Sequence, residues 1–242
     1  MRRSGAALSL FLFVASATAT FADDPARQQK LSPEAIAALK VQNTKIISAE
    51  PKAAGVFVAQ DDGSVRHIQS GLICPAKYPN VDFYHVLVYA QNGNDVGCDY
   101  RRADENGGAW SKLTIFATKA TPGLTLDQAF ARYHSEIAQT SPKAVSQGPA
   151  IRESSNRAPD FPEIRSEEFI EPLNETTYTS QLYVAIEDGW VIEVRTTFVG
   201  LPNKIDVTKD GGTEEAVLKM GDRVMGPKAL FDALGTVGRS AP

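Results

Sequence analysis

The chain holds only two cysteines, Cys74 and Cys98, and three histidines, His67, His85 and His134, in 242 residues. Two cysteines allow one intramolecular bridge and cannot make a zinc site alone, and no histidine has ligand spacing to another. No metal and no cofactor are therefore expected. Four signatures are missing: the Gly-x-Ser-x-Gly elbow, the His-Glu-x-x-His pattern, a phosphate-cradling glycine loop and a dinucleotide fingerprint. Each histidine falls inside a predicted strand or helix, which favours a satisfied or edge histidine over the base of a serine-type triad. Positive charge is also scarce. Without Arg2 and Arg3 the 25 basic residues become 23 against 29 acidic ones, a net charge of −6. With no basic cluster beyond Arg101-Arg102, that balance argues against nucleic acid and against anionic lipid. Past residue 22 there is no long apolar run, so no membrane span is expected after the leader is removed.

What is present begins with that leader. "MRR" is followed by an uncharged apolar and small stretch and then by "FADDPA", the layout of a secretory signal peptide ending at Ala22 or, less well, Ala19. Export would put Cys74 and Cys98 in an oxidising compartment, where such a pair forms a disulfide. The spacing is not that of a redox-active Cys-X-X-Cys pair. The expected organisation is a signal peptide over residues 1–22, an N-terminal helix and lead-in over 23–52, and one domain over 53–242.

Ser32, Pro33 and Glu34 suit a helix start, and a short peripheral helix is expected over residues 33–41. From residue 53 to 120 the apolar period becomes two, interrupted by Asp62-Gly63, Asn92-Gly93 and Asn106-Gly107, which are hairpin-turn dipeptides. The middle turn places Cys98 in the second strand of a hairpin and Cys74 just ahead of the first. The bridge would clamp the loop bearing Pro75 and Pro79, neither of which can donate a backbone hydrogen bond. Pro75, Lys77, Tyr78 and Pro79 of that loop, with Arg101 of "DYRR", form the candidate contact surface. Thr125 and Gln128 spell a capping box ahead of a helix striped by Leu126, Ala129, Phe130, Tyr133 and Ile137. Residues 142–172 read as a long connection with short strands near 144–151 and 164–170. The acidic residues Glu163, Glu167, Glu168 and Glu171 there read as solvated. "NET" at 174–176 fits a glycosylation sequon of little weight in a chain that looks bacterial. A hairpin turning at Asp188-Gly189 presents Trp190, Ile192, Val194, Thr196 and Phe198 inward. Its Val191, Glu193, Arg195 and Thr197 face is expected to be partly solvated. A terminal helix carries Leu230, Phe231 and Leu234, with Gly235 as its stop.

Two patches resemble a pattern found in uncharacterised exported bacterial proteins: "SGLICP" followed by "NDVGCDY", and "QLYVAIEDGWVIEVRTTFVG". The resemblance spans residues 70–200 and implies no activity. The element order is also similar to the PsbP-like fold.

The expected fold is α+β: an antiparallel sheet of about six or seven strands with helices packed on it and one disulfide. The expected function is that of a non-enzymatic periplasmic or secreted protein, a binding or accessory module of the cell envelope whose partner is an envelope protein or a small ligand. The rival is a periplasmic, hydrolase-like enzyme with a dispersed site. A polar pocket joining a histidine, Arg101 or Arg195, and a carboxylate of perturbed pKa would favour that rival.

Overall fold

The computed structural model describes residues 32–78, 81–102, 111–150, 162–173, 176–199, 226 and 228–237. The signal-peptide stretch, Pro79, the Asn106-Gly107 turn and most of the sequon lie outside the described residues. In chain order the elements are α1 (Pro33–Ala49), β1 (Phe57–Ala59), β2 (Val65–His67), β3 (Ile73–Cys74), β4 (Lys77–Tyr78), β5 (Val81–Val88), β6 (Asp95–Arg102), β7 (Ser111–Lys119), α2 (Leu126–Thr140), β8 (Val145–Gly148), β9 (Ile164–Leu173), β10 (Thr176–Glu187) and β11 (Trp190–Val199). A last helix, α3, covers residues 228–234.

The α+β class and the disulfide stand, but the main sheet has eight strands rather than six or seven. Its order is β4-β5-β6-β7-β11-β10-β9-β8, every pair antiparallel. Two four-strand meanders meet at the β7–β11 seam. One extra strand comes from the proline loop, where Lys77 and Tyr78 pair with Asp82 and Val81 despite the nearby prolines. At the far edge, β8 and β9 of the 142–172 connection complete the second meander. The strands around Phe57 and Val65 do not join this sheet. They form a separate three-stranded sheet with Ile73 and Cys74. The bridge from Cys74 to Cys98, with Cα atoms 6.4 Å apart, therefore ties the small sheet to the large one. Both cysteines are fully buried, and a buried structural disulfide hints at an oxidising, non-cytoplasmic setting.

Helix α1 runs eight residues beyond the expected end. Tertiary contacts extend it: Asn43 Nδ2 donates to the Gly63 carbonyl at 2.6 Å, and Ile46 and Ile47 pack on the core. Helix α2 starts as the sequence requires. The Gln128 N–H donates to Thr125 Oγ1 at 3.2 Å and the Thr125 N–H to Gln128 Oε1 at 3.0 Å. Among the described residues no helix is long and apolar enough to cross a membrane.

The pleat gives the large sheet two faces. Face one carries Val96, Cys98, Tyr100, Leu113, Ile115, Ala117, Tyr183, Ala185, Trp190, Ile192 and Val194, packed against the small sheet and against Leu230, Ala233 and Leu234 of α3. Each large side chain buried there contributes about 1.5–3 kcal/mol. Phe231, expected in the apolar stripe of α3, is 44% exposed instead. At Gly226 a Cβ would lie 2.5 Å from the Tyr183 ring, so only glycine lets the chain sit this close to β10. Face two is covered over β9–β11 by α2, whose Ala129, Tyr133 and Ile137 meet Phe169, Leu182, Val184 and Val191. Toward β6 and β7 the cover thins to the Tyr133–Thr118 contact, and the groove described next opens there.

Candidate functional site

Strand pairing lines up the polar residues of face two in rows across β6, β7 and β11. Asp95 pairs with Thr118 and then Val191, Gly97 with Phe116 and then Glu193, and Asp99 with Thr114 and then Arg195. The missing side chain at Gly97 is used: a Cβ there would lie 3.0 Å from Phe116 Cδ1 and 3.0 Å from the Ile115 carbonyl. The Phe116 ring fills that space and lies down as a floor. Tyr89 stands beside it, with ring centroids 6.1 Å apart. Arg132, Tyr133 and Glu136 of α2 form the opposite lip. Between them is a groove of about 230 Å³ whose remaining lining is Asp95, Thr118, Glu193 and Arg195.

The groove is organised around Arg195. Its Nε donates to Glu193 Oε1 and its Nη2 to Glu136 Oε2 at 2.8 Å, which joins β11 to α2. Its guanidinium also lies 5.6 Å from the Phe116 ring centre and 5.8 Å from that of Tyr133. Arg132 Nε donates to Glu136 Oε1 at 3.2 Å. Tyr133 donates to Thr118 at 3.4 Å, and Thr118 donates to Asp95 at 3.0 Å.

Glu193 is 2% exposed. Burial pushes its carboxyl up to about 7; Arg195 pulls it back down only in part, and Glu136 and Asp95 add to the rise. Burial alone would lower Arg195, but the Glu193 and Glu136 carboxylates hold it above its ordinary value. Tyr89 and Tyr133 are raised, chiefly by burial, and stay neutral. The site thus has fixed cations, fixed anions and one carboxyl that exchanges its proton near neutrality. It can orient a polar ligand and trade a proton with it. Among the described residues the groove holds no histidine, cysteine or serine. Nor do any three His, Cys, Asp or Glu side chains come together as a metal site among them.

The histidines sit elsewhere. His67 is fully buried between Phe57 and Trp190, at centroid distances of 5.3 and 5.5 Å. Its Nδ1 accepts from the Ser70 N–H and meets the Ser70 hydroxyl at 2.7 Å, and its Nε2 turns toward the Gly93 backbone. Burial drives its pKa down to about 4. His85 lies 3.7 Å from Glu50 and His134 3.3 Å from Glu167.

Four of the five residues of the expected contact surface are described, and they lie on and beside strands β4 and β6, which flank β5. Tyr78 is 1% exposed and stacks edge-on against Tyr100, so it supports the core. The Pro75 carbonyl accepts from the Tyr100 hydroxyl at 3.0 Å. Lys77 is exposed and lies 3.6 Å from Asp82. Arg101 grips the buried Asp99 through Nε at 2.9 Å and Nη2 at 2.8 Å, and stacks 4.2 Å from the centre of the Tyr84 ring. Arg195, named from the sequence only as one possible pocket arginine, is central instead. Its face was expected to be partly solvated, and Arg195 and Thr197 are half-buried, but Val191 and Glu193 are both 2% exposed beneath α2. Two signals could have found the groove: the strand spacing Glu193-x-Arg195, and the i,i+4 pair Arg132 and Glu136 flanking the apolar stripe of α2.

No protein-family model matches the chain, and no curated protein matches it.

Proposed function

We propose that this protein is an exported, non-catalytic binding module of the cell envelope that holds a small polar ligand in the groove between α2 and strands β6, β7 and β11. The observation that carries this is the gathering of Arg132, Glu136, Glu193 and Arg195 around an aromatic floor in a cleft of about 230 Å³. Concave sites with few convergent polar groups and a perturbed carboxyl are where ligands are held. Export follows from the leader-like residues 1–22 and is consistent with the bridge between Cys74 and Cys98. The enzyme reading draws on Glu193 as a proton-transfer group, but among the described residues no nucleophile–base pair stands beside it in the groove.

The test is native mass spectrometry of the protein isolated from the envelope of an expressing cell, with fractionation run in parallel. The expected result is a non-covalent small-molecule adduct that Arg132→Ala reduces. Absence of any adduct, together with no thermal stabilisation across a metabolite library, would overturn the binding reading. Recovery from the cytosol with both thiols free would overturn export.

A further inference from the structure

We infer that the ligand of this groove is a small zwitterion of the free amino acid type, with one ammonium and one carboxylate on a short apolar body. This rests on the binding reading and narrows it. The first support is which polar atoms the protein leaves open. Arg132 is engaged through Nε alone, and Arg195 through Nε and Nη2, so guanidinium nitrogens of both remain without a partner among the described residues. The Nη1–Nη2 edge of Arg132 suits a carboxylate, which guanidinium binds in a planar, two-pronged geometry, and Arg195 can add its Nη1. Among the described residues the Asp95 carboxylate accepts only from the Thr118 hydroxyl and makes no ion pair, which leaves an oxygen for an ammonium.

The second support is charge balance. An acid alone would meet Asp95, Glu136 and Glu193 as well as the arginines, and an amine alone would meet Arg132 and Arg195. Either would leave one set of charges desolvated and unpaired, which costs more than the pairing gains. Glu193, already bound by Arg195 Nε, exchanges its proton near neutrality, and the other two carboxylates, Asp95 and Glu136, face the two guanidiniums. A ligand of zero net charge with separated ends satisfies that arrangement. The third support is size and shape. About 230 Å³ lies below the usual range for drug-sized ligands. Phe116 and the half-exposed Tyr89 offer an apolar wall for a short side chain.

The test is calorimetric titration of the mature, oxidised protein at pH 7 with the common L-amino acids. The tightest binder is then compared with its decarboxylated amine and its deaminated acid. At least one amino acid is expected to bind at least tenfold more tightly than either one-charge analogue. Arg132→Ala should weaken the amino acid and the acid but leave the amine unchanged. Asp95→Asn should weaken the amino acid and the amine but leave the acid unchanged. Arg132 is well exposed and Asp95→Asn is isosteric; unaltered melting curves would show that both variants fold. An amine or acid that binds as well as the parent zwitterion overturns the inference, and so does the absence of binding by every amino acid. If either occurs while the envelope-isolated protein still carries an adduct, the zwitterion class is wrong and the binding reading survives. If the adduct is absent too, both fall.

Discussion

His67 and Glu193 are two buried titratable groups in contrasting settings, one packed above face one of the large sheet and the other beneath α2 on face two. They are 0% and 2% exposed. His67 is closed off: aromatic rings flank it, Ser70 occupies Nδ1, and among the described residues no charged group faces it. Glu193 is equally dry but looks into a cleft and shares Arg195 with Glu136. Burial shifts both pKa values toward the neutral form, down for the imidazole and up for the carboxyl. Burial depth alone therefore does not mark a site. Open partners beside the buried group do.

The largest expected effect belongs to the closed side. Replacing both cysteines, Cys74→Ala with Cys98→Ala, releases a loop of 24-residue separation, which chain entropy puts at ~3.5 kcal/mol, with a further cost for the space left behind. Urea unfolding should show that loss as a lower midpoint, while affinity at the groove changes less than twofold. A double variant as stable as the parent would mean that the bridge does not hold the small sheet in place. A large loss of ligand affinity would mean that the two faces are not independent.

The next effect sets the two groups directly against each other through pH. Glu193 binds its proton more tightly when folded, near 7, than at its ordinary value of 4.5. The stability it contributes is full below 4.5 and is lost as pH rises through 7. His67 titrates near 4 when folded against an ordinary 6.5, so its contribution is present above 6.5 and is lost as pH falls through 4. At about 1.4 kcal/mol per pH unit, each is worth at most about 3.5 kcal/mol. Between pH 4.5 and 6.5 their slopes have opposite signs and offset one another. Relative to the parent, Glu193→Gln should therefore show stability rising more steeply with pH, and His67→Gln stability falling. Chemical unfolding of the three proteins across that window measures it. Parallel profiles would mean that neither shift exists. The charged groups facing Glu193, namely Arg195, Glu136, Asp95 and Arg132, remain in all three proteins.

The same contrast explains what could be read from the chain. The turns at Asp62-Gly63, Asn92-Gly93 and Asp188-Gly189, the capping box at Thr125 and Gln128, the inward face from Trp190 to Phe198 and the pairing of Cys74 with Cys98 are local or combinatorial facts, and each is visible in a few residues. The strand count was not. Lys77 and Tyr78 become a strand only because Val81 and Asp82 offer a partner; the strands expected near 144–151 and 164–170 are there as β8 and β9, but only pairing with β10 makes them part of the large sheet. The exposure of Glu193 was misjudged for the same reason: alternation assigns a residue to a face but does not say what covers it. The groove joins Asp95, Phe116, Arg132 and Arg195, which are spread over about a hundred residues. Only the β7–β11 seam brings them together.

A smaller effect concerns the floor of the groove. Gly97→Ala would place a methyl 3.0 Å from both the Ile115 carbonyl and Phe116 Cδ1. The carbonyl belongs to the strand ladder and cannot retreat, so the ring must tilt. Overpacking of this kind costs roughly 1–3 kcal/mol, and here it should also narrow the cleft. Ligand affinity should fall along with stability, unlike in the cysteine double variant, where only stability falls. Calorimetry on both proteins separates the two cases, and unchanged affinity in Gly97→Ala would mean that Phe116 is not part of the floor a ligand meets.

The smallest effect tests how locally face two is held. Thr125→Ala removes the side chain that accepts from the Gln128 N–H and leaves the first turn of α2 with an uncapped donor, a loss of about 1 kcal/mol. The helix reaches the sheet through few large contacts, chiefly Tyr133 and Ile137 on Phe169, Leu182, Val184 and Val191. Arg195 is pinned to it by the bond to Glu136. Hydrogen exchange should therefore quicken in α2 and at the Glu193–Arg195 end of β11, while the amides of β2 and β3 beside His67 keep their protection. If the loss spread evenly over both faces, α2 would be part of one cooperative unit with the small sheet, and the groove could not open without the core.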